Sequence, residues 1–238
     1  MPPPILQSIQ VGLPRELGTE GATDPLDRPW VSGFFKEEIA GPVRLSFTNL
    51  DGDGQADLVH HGGVDKAVLA YSADHYAAWR QSLSRADLPH GAFGENFTVA
   101  ELTEADVCVG DSWQVGEDVV LQVSQPRQPC WKLARRWRIK TLALQVQETG
   151  RTGWYFRVLK VGVVNASMPL VLIDRPHPAW TIARANQVMH VDKQDFAAAA
   201  ELAELPTLAA SWQVTLRRRV EASDQPDAAK RLVGPNDS

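Results

Sequence analysis

The chain has 238 residues, with 24 Lys and Arg against 29 Asp and Glu; the formal charge of −5 gives no electrostatic case for nucleic-acid binding. Hydrophobic content of 44% and charged content of 22% are those of a globular protein with a substantial core. No apolar run approaches the ~20 residues that span a bilayer, the start Met1-Pro2-Pro3-Pro4-Ile5 lacks the features of a signal peptide, and two cysteines without a CxxC pair make no disulfide framework; a cytoplasmic protein with no membrane partner is expected.

Short strands broken by Gly, Pro and Asp fill the first two-thirds. Residues 8–11 read as a strand, followed by a loop over 12–29. Residues 43–48 alternate apolar and polar, the mark of a half-buried strand. Residues 66–71 form another apolar run. Ser72 then reads as the N-cap of a helix over 73–83. Further strands are expected at 97–99, 113–115 and 119–123, a helix at 141–148 ended by Gly150, and strands at 154–159 and 170–173. Many short strands with few helices predict a mainly β (α+β) fold of barrel type over 1–176. Three short helices at 181–190, 193–203 (with Asp192 as N-cap) and 207–220 predict a small domain over 177–220. The polar composition of 221–238 predicts a disordered tail.

Cys130 stands out. It follows the apolar run 119–123 and the prolines Pro126 and Pro129, which neither donate to a ladder nor extend a strand. Arg127 and Lys132 flank it. A thiol near fixed positive charge tends toward thiolate, which attacks electrophiles and binds soft metals. Cys108 lies in an apolar setting without basic neighbours and reads as structural. A cysteine hydrolase would need His60 or His61 beside Cys130.

Other segments carry polar groups on turns. His60-His61-Gly62-Gly63-Val64-Asp65-Lys66 places two histidines, two permissive glycines and a lysine together, which fits either an anion-binding turn or a polar hairpin. Adjacent His60 and His61 point apart on a strand, against shared metal ligation. Asp51-Gly52-Asp53-Gly54-Gln55 departs from the calcium-loop template and reads as turn chemistry. Glu95 and Asn96 fit either a heterocycle contact or a turn cap. Arg157 alternates with apolar neighbours, so its strand can aim a guanidinium at an anion. No GxSxG, GxGxxG or Walker A motif occurs.

In their order and spacing, several segments resemble the MOSC family, domains similar to the C-terminal part of molybdenum cofactor sulfurase, and within it the YiiM-like bacterial branch. They are Trp30-Val31-Ser32-Gly33-Phe34-Phe35-Lys36, Gly52-Asp53-Gly54-Gln55-Ala56-Asp57, the run 60–68, Gly94-Glu95-Asn96, Gln125-Pro126-Arg127-Gln128-Pro129-Cys130 and Gly153-Trp154-Tyr155-Phe156-Arg157. Pro178-Ala179-Trp180-Thr181-Ile182-Ala183-Arg184-Ala185-Asn186 resembles the start of that branch's three-helix domain. The likeness spans about residues 5–220. It departs at Leu69, where a tyrosine-rich strand is expected and where no residue assigned to chemistry is touched.

The resemblance implies a MOSC-type β-barrel that binds the molybdenum cofactor, a molybdopterin; pyridoxal phosphate is not expected. Cys130 matches the family cysteine, and its thiolate is the implied molybdenum ligand. Arg15, Lys36, Lys66, Arg127 and Arg157 are the cations offered to the cofactor, with Gly62 and Gly63 giving backbone access. His60, His61, Glu95 and Asn96 are candidates for the pterin or the substrate, and His60, His61 or Asp65 for a proton donor. The implied reaction reduces N-hydroxylated compounds, such as hydroxylamino bases and amidoximes, to amines, with electrons from a separate reductase. The helical appendage is a docking surface for that partner, a homodimer element or a lid. The rivals are a sulfur carrier holding a persulfide on Cys130 and a non-catalytic binding barrel.

Overall fold

The computed structural model describes residues 3–222 and 227–236. Its strands, in chain order, begin with β1 (Ile5–Val11), β2 (Arg15–Leu17), β3 (Trp30–Ser32), β4 (Glu37–Glu38) and β5 (Val43–Leu45). Helix α1 (Leu58–His61) precedes β6 (Val68–Ser72), α2 (His75–Ser82), β7 (Phe97–Ala100), β8 (Ser112–Val115) and β9 (Val119–Pro126). Then come α3 (Lys132–Trp137), α4 (Leu142–Thr149), β10 (Trp154–Lys160), β11 (Gly162–Val164) and β12 (Leu170–Asp174). The remainder is helical: α5 (Ile182–Asn186), α6 (Phe196–Ala203), α7 (Ala210–Ala222) and α8 (Ala229–Leu232).

Eight strands form one sheet in the order β12–β8–β9–β10–β6–β7–β1–β4, and β6 with β7 is its parallel pair. Leu6 N donates to Met168 O and Leu170 N to Pro4 O, both at 2.9 Å, so the sheet curls until β1 meets the start of β12. Strands β2–β3 and β5–β11 make separate two-stranded ribbons. The fold is mainly β with helices at its C-terminal end, as the strand pattern implied.

Differences from the sequence reading have local causes. The loop over 12–29 carries β2 and a turn of 3-10 helix at Pro25–Asp27, which Asp24 caps by accepting from Leu26 N at 2.9 Å. Strand β5 stops at Leu45 because Ser46 Oγ accepts from Asn49 N at 3.0 Å and folds the chain into a turn. Strand β9 runs through Pro126, whose missing N–H is tolerated at a strand end, and Arg127 N continues the ladder to Gly153 O at 3.0 Å. Helix α6 is capped by Asp195, which accepts from Ala198 N at 2.9 Å, and not by Asp192. Between α5 and α6 the chain widens into a π turn at Gln187–Val191. Buried Arg219 donates to its carbonyls at Val188 and Met189, at 2.7 and 2.8 Å.

One apolar core joins the sheet to the helices, from Leu6, Phe97, Leu121 and Phe156 to Ile182, Leu202, Trp212 and Leu216. A second core, with Tyr71, Trp79, Phe93, Leu133 and Val146, lies under α2, α3 and α4. The polar tail also departs from expectation. Over residues 227–236 it forms α8 and a 3-10 turn at Gly234–Asn236, with Asn236 buried. Its polar side chains find partners on the barrel, which composition cannot reveal. Residues 223–226 and 237–238 of the expected tail lie outside the described residues. No helix among the described residues is long and apolar enough to cross a membrane.

Candidate functional site

Strand β9 ends by delivering the loop 127–131 to the mouth of the barrel, and α3 begins directly after it. Cys130 is 7% exposed there. It lies where two lobes of one cleft meet, an inner lobe and a wider outer lobe. His61, Lys66, Gln128, Cys130 and Tyr155 line both.

The inner lobe is cationic. Lys36, Lys66, Arg127 and Lys132 line it, and among the described residues no carboxylate does. Lys36 is held by an ion pair with buried Asp53, just behind the wall. Burial pulls the Lys36 ammonium below its usual range, and contact with Asp53 opposes this. Asp53 also accepts from Gly12 N and Asn96 Nδ2, both at 2.9 Å. This hub ties β1, the loop after β3 and the entry to β7 into one wall. A Cβ on Gly33 would collide with the Gly54 carbonyl, so the two loops meet closely only because position 33 lacks a side chain.

The remaining cations are less satisfied. Arg127, 3% exposed, donates Nη2 to Phe93 O at 3.3 Å, while its buried Nη1 has no hydrogen-bond partner among the described residues. Lys132 stands 5.9 Å above the Trp131 ring centroid and makes no ion pair among the described residues. Lys66 donates to His60 O at 2.6 Å. Burial lowers its pKa, with Asp65 and Asp57 opposing.

The fold does bring a histidine to the thiol: His61 Nε2 lies 3.7 Å from Cys130 Sγ. Burial, then Lys132, lowers His61 to about 3, against the pull of Asp57. A neutral imidazole that resists protonation is a poor partner for a thiolate–imidazolium nucleophile, so the hydrolase reading loses its base. Tyr155 is pushed up to about 12 by burial and keeps its hydroxyl proton.

Of the predicted residues, Lys36, His61, Lys66, Asn96, Arg127 and Cys130 meet in the inner lobe. His60 lines the outer lobe only, with Nδ1 2.9 Å from Asp57 Oδ2. The others fall elsewhere. Arg15 stacks over the Phe35 ring at 4.8 Å. Asp65 and Arg157 pair with each other at 2.8 Å. Glu95 is buried as a brace, accepting from Tyr76, Gly91 N and Phe93 N. Gly62 and Gly63 form the turn behind Lys66 and line neither lobe.

Sequence reasoning gave no site role to Asp53, Gln128, Tyr155 or Lys132, although the charge of Lys132 beside the cysteine was visible. Leu69 also needs correcting: it lines the inner lobe, and its N–H donates to Asn96 Oδ1 at 3.2 Å.

A soft sulfur donor, Cys130, stands beside a surplus of cations and a guanidinium with one buried nitrogen unpartnered among the described residues, which suit a phosphate-bearing pterin. The residues fit such a group.

The MOSC domain family matches residues 57–170, and the YiiM-like 3-alpha helix domain family matches 180–222. Protein YflK of Bacillus subtilis strain 168 is 42% identical over 212 residues, which cover 89% of this chain and 92% of that protein. The chain belongs to the MOSC family. The crystal structure of YiiM from Geobacillus stearothermophilus superposes with a TM-score of 0.76 at 36% identity, covering 92% of this chain and 100% of that one. A protein named Reductase from Gibberella moniliformis is 37% identical over 177 residues, which are 74% of this MOSC chain but only 31% of that longer protein.

Proposed function

We propose that this MOSC protein is a molybdenum-cofactor-dependent reductase of N-hydroxylated compounds, with the Cys130 thiolate as the metal ligand. The observation that carries the reading is the placement of Cys130 at the junction of a wider open lobe and a lobe lined by cations and, among the described residues, by no carboxylate. Membership of the MOSC family and the likeness to part of a protein named Reductase support it.

Lys132 and Arg127 hold the anionic part of the cofactor in the inner lobe, with Lys66 beside them and Lys36 kept in place by Asp53. When bound, the cofactor supplies the two-electron chemistry that breaks an N–O bond. The overall reaction takes R–NH–OH, two electrons and two protons to R–NH₂ and water, with the electrons coming from a separate reductase. The substrate enters from the outer lobe. Tyr155, protonated throughout the neutral range, offers a hydrogen-bond donor there, and neutral His61 adds no charge beside the sulfur.

The direct test loads the protein in a host able to make the cofactor and supplies reduced methyl viologen without oxygen. Amidoxime and hydroxylamino-base substrates are expected to yield the amine, read by mass spectrometry. Molybdenum-loaded protein that turns over neither class contradicts the reading.

A further inference from the structure

We propose that the C-terminal segment 227–236 is a wall of the functional site and that Arg231 is a positioning residue for the loop carrying Cys130. The proposal rests on Cys130 being the functional thiol.

The segment holds both neighbours of Cys130. Arg231 Nη1 donates to the Pro129 carbonyl on one side. On the other, Trp131 N donates to Arg231 O at 2.9 Å. Residue 231 thus spans the thiol with its side chain and its backbone. Its second guanidinium nitrogen donates to Gln147 Oε1 at 2.6 Å, which anchors the clasp to α4. Asn236 closes the far end, donating Nδ2 to Trp131 O at 3.3 Å and accepting from Arg135 Nε at 2.8 Å.

The backbone of the segment is shaped for this contact. Gly234 has φ +57, and a Cβ there would collide with the Trp131 indole. Glycine lets the chain lie flat on the residue that follows the thiol. The segment also faces the cleft. Asp227, Lys230 and Arg231 line the outer lobe together with His61, Cys130 and Tyr155. A tail that merely covered apolar surface would have no reason to spend its polar groups on the two peptides flanking Cys130.

The consequence is a size limit on what reaches the sulfur. It is read on full-length, metal-free protein with two maleimides, N-ethylmaleimide and N-(1-pyrenyl)maleimide. Both rates at Cys130 are taken by peptide mass spectrometry at one pH. Their ratio, divided by that for a small free thiol, cancels the thiolate fraction and reports access alone. The wild-type ratio is expected to exceed the free-thiol value by about tenfold, Arg231→Ala to lose most of that excess, and Arg231→Lys, which keeps a donor for the Pro129 carbonyl, to retain most of it. Gly234→Val presses the segment off Trp131 without touching Arg231 and is expected to act like Arg231→Ala.

A ratio within about twofold of wild type in both Arg231→Ala and Gly234→Val overturns the proposal. So does an equal rise in labelling of Cys108, which would mean general loosening. Because no metal is needed, this result is independent of whether molybdenum binds.

Discussion

The turn carrying Cys108 and the loop carrying Cys130 treat charge in opposite ways. At Cys108 every charge is closed. The fully buried Asp111 takes Arg175 at 2.7 Å and the Cys108 N–H at 2.8 Å. Burial, and then Asp111, push the Cys108 thiol up. Its Sγ lies 3.6 Å from the Pro178 carbonyl, with no lobe of the cleft beside it. At Cys130 the charge is left open. Of the four cations lining the inner lobe, Lys36 is paired with the buried Asp53 behind the wall, and Lys66, Arg127 and Lys132 face no carboxylate in that lobe among the described residues. A structural site neutralises itself, whereas a site for an anionic ligand holds its countercharge in reserve.

Two variants and one labelling measurement probe the contrast. The largest effect is expected on the closed side. Asp111→Ala takes a charged partner from Arg175 and leaves the buried Cys108 N–H unpaired, and should cost about 2–3 kcal/mol in chemical denaturation while leaving cofactor retention per folded molecule unchanged. A cost under about 1 kcal/mol would mean that Asp111 does not close the charge of this cluster. Next comes the chemistry of the thiols themselves. Iodoacetamide should label Cys130 at least about a hundredfold faster than Cys108, since one faces a cleft and the other must wait for local opening. Comparable rates would erase the distinction. The smallest effect is expected on the open side. Lys132→Ala removes a cation that has no ion-pair partner among the described residues, so stability should move by no more than about 1 kcal/mol. Cofactor retention should fall about tenfold, measured as bound molybdenum against dilution. A large stability loss with unchanged retention would assign Lys132 to the fold.

Much of this contrast was legible in the chain, and the reason is locality. The apolar run of β9, the cysteine after two prolines, and Arg127 and Lys132 on either side are all within a few residues of one another. The apolar neighbours of Cys108 were equally visible. The Asp53 hub was not, because its partners Gly12, Lys36 and Asn96 lie far apart in the chain and meet only when β1 and β7 pair. Arg157 and Asp65 each looked available alone; the pairing of β10 with its neighbours turned them toward each other. The tail misled for a related reason. Polarity signals disorder only when polar groups lack partners, and Arg231 and Asn236 find theirs about a hundred residues upstream.

The molybdenum content of wild-type protein and Cys130→Ser, both purified from a host that makes the cofactor, is the most direct test of a thiolate-held cofactor. Near-stoichiometric metal in the wild type, lost in the serine variant while the circular dichroism spectrum stays the same, is the predicted result. Equal molybdenum in both proteins, or none in either with cyanide-releasable sulfur on Cys130, would contradict a thiolate-held cofactor.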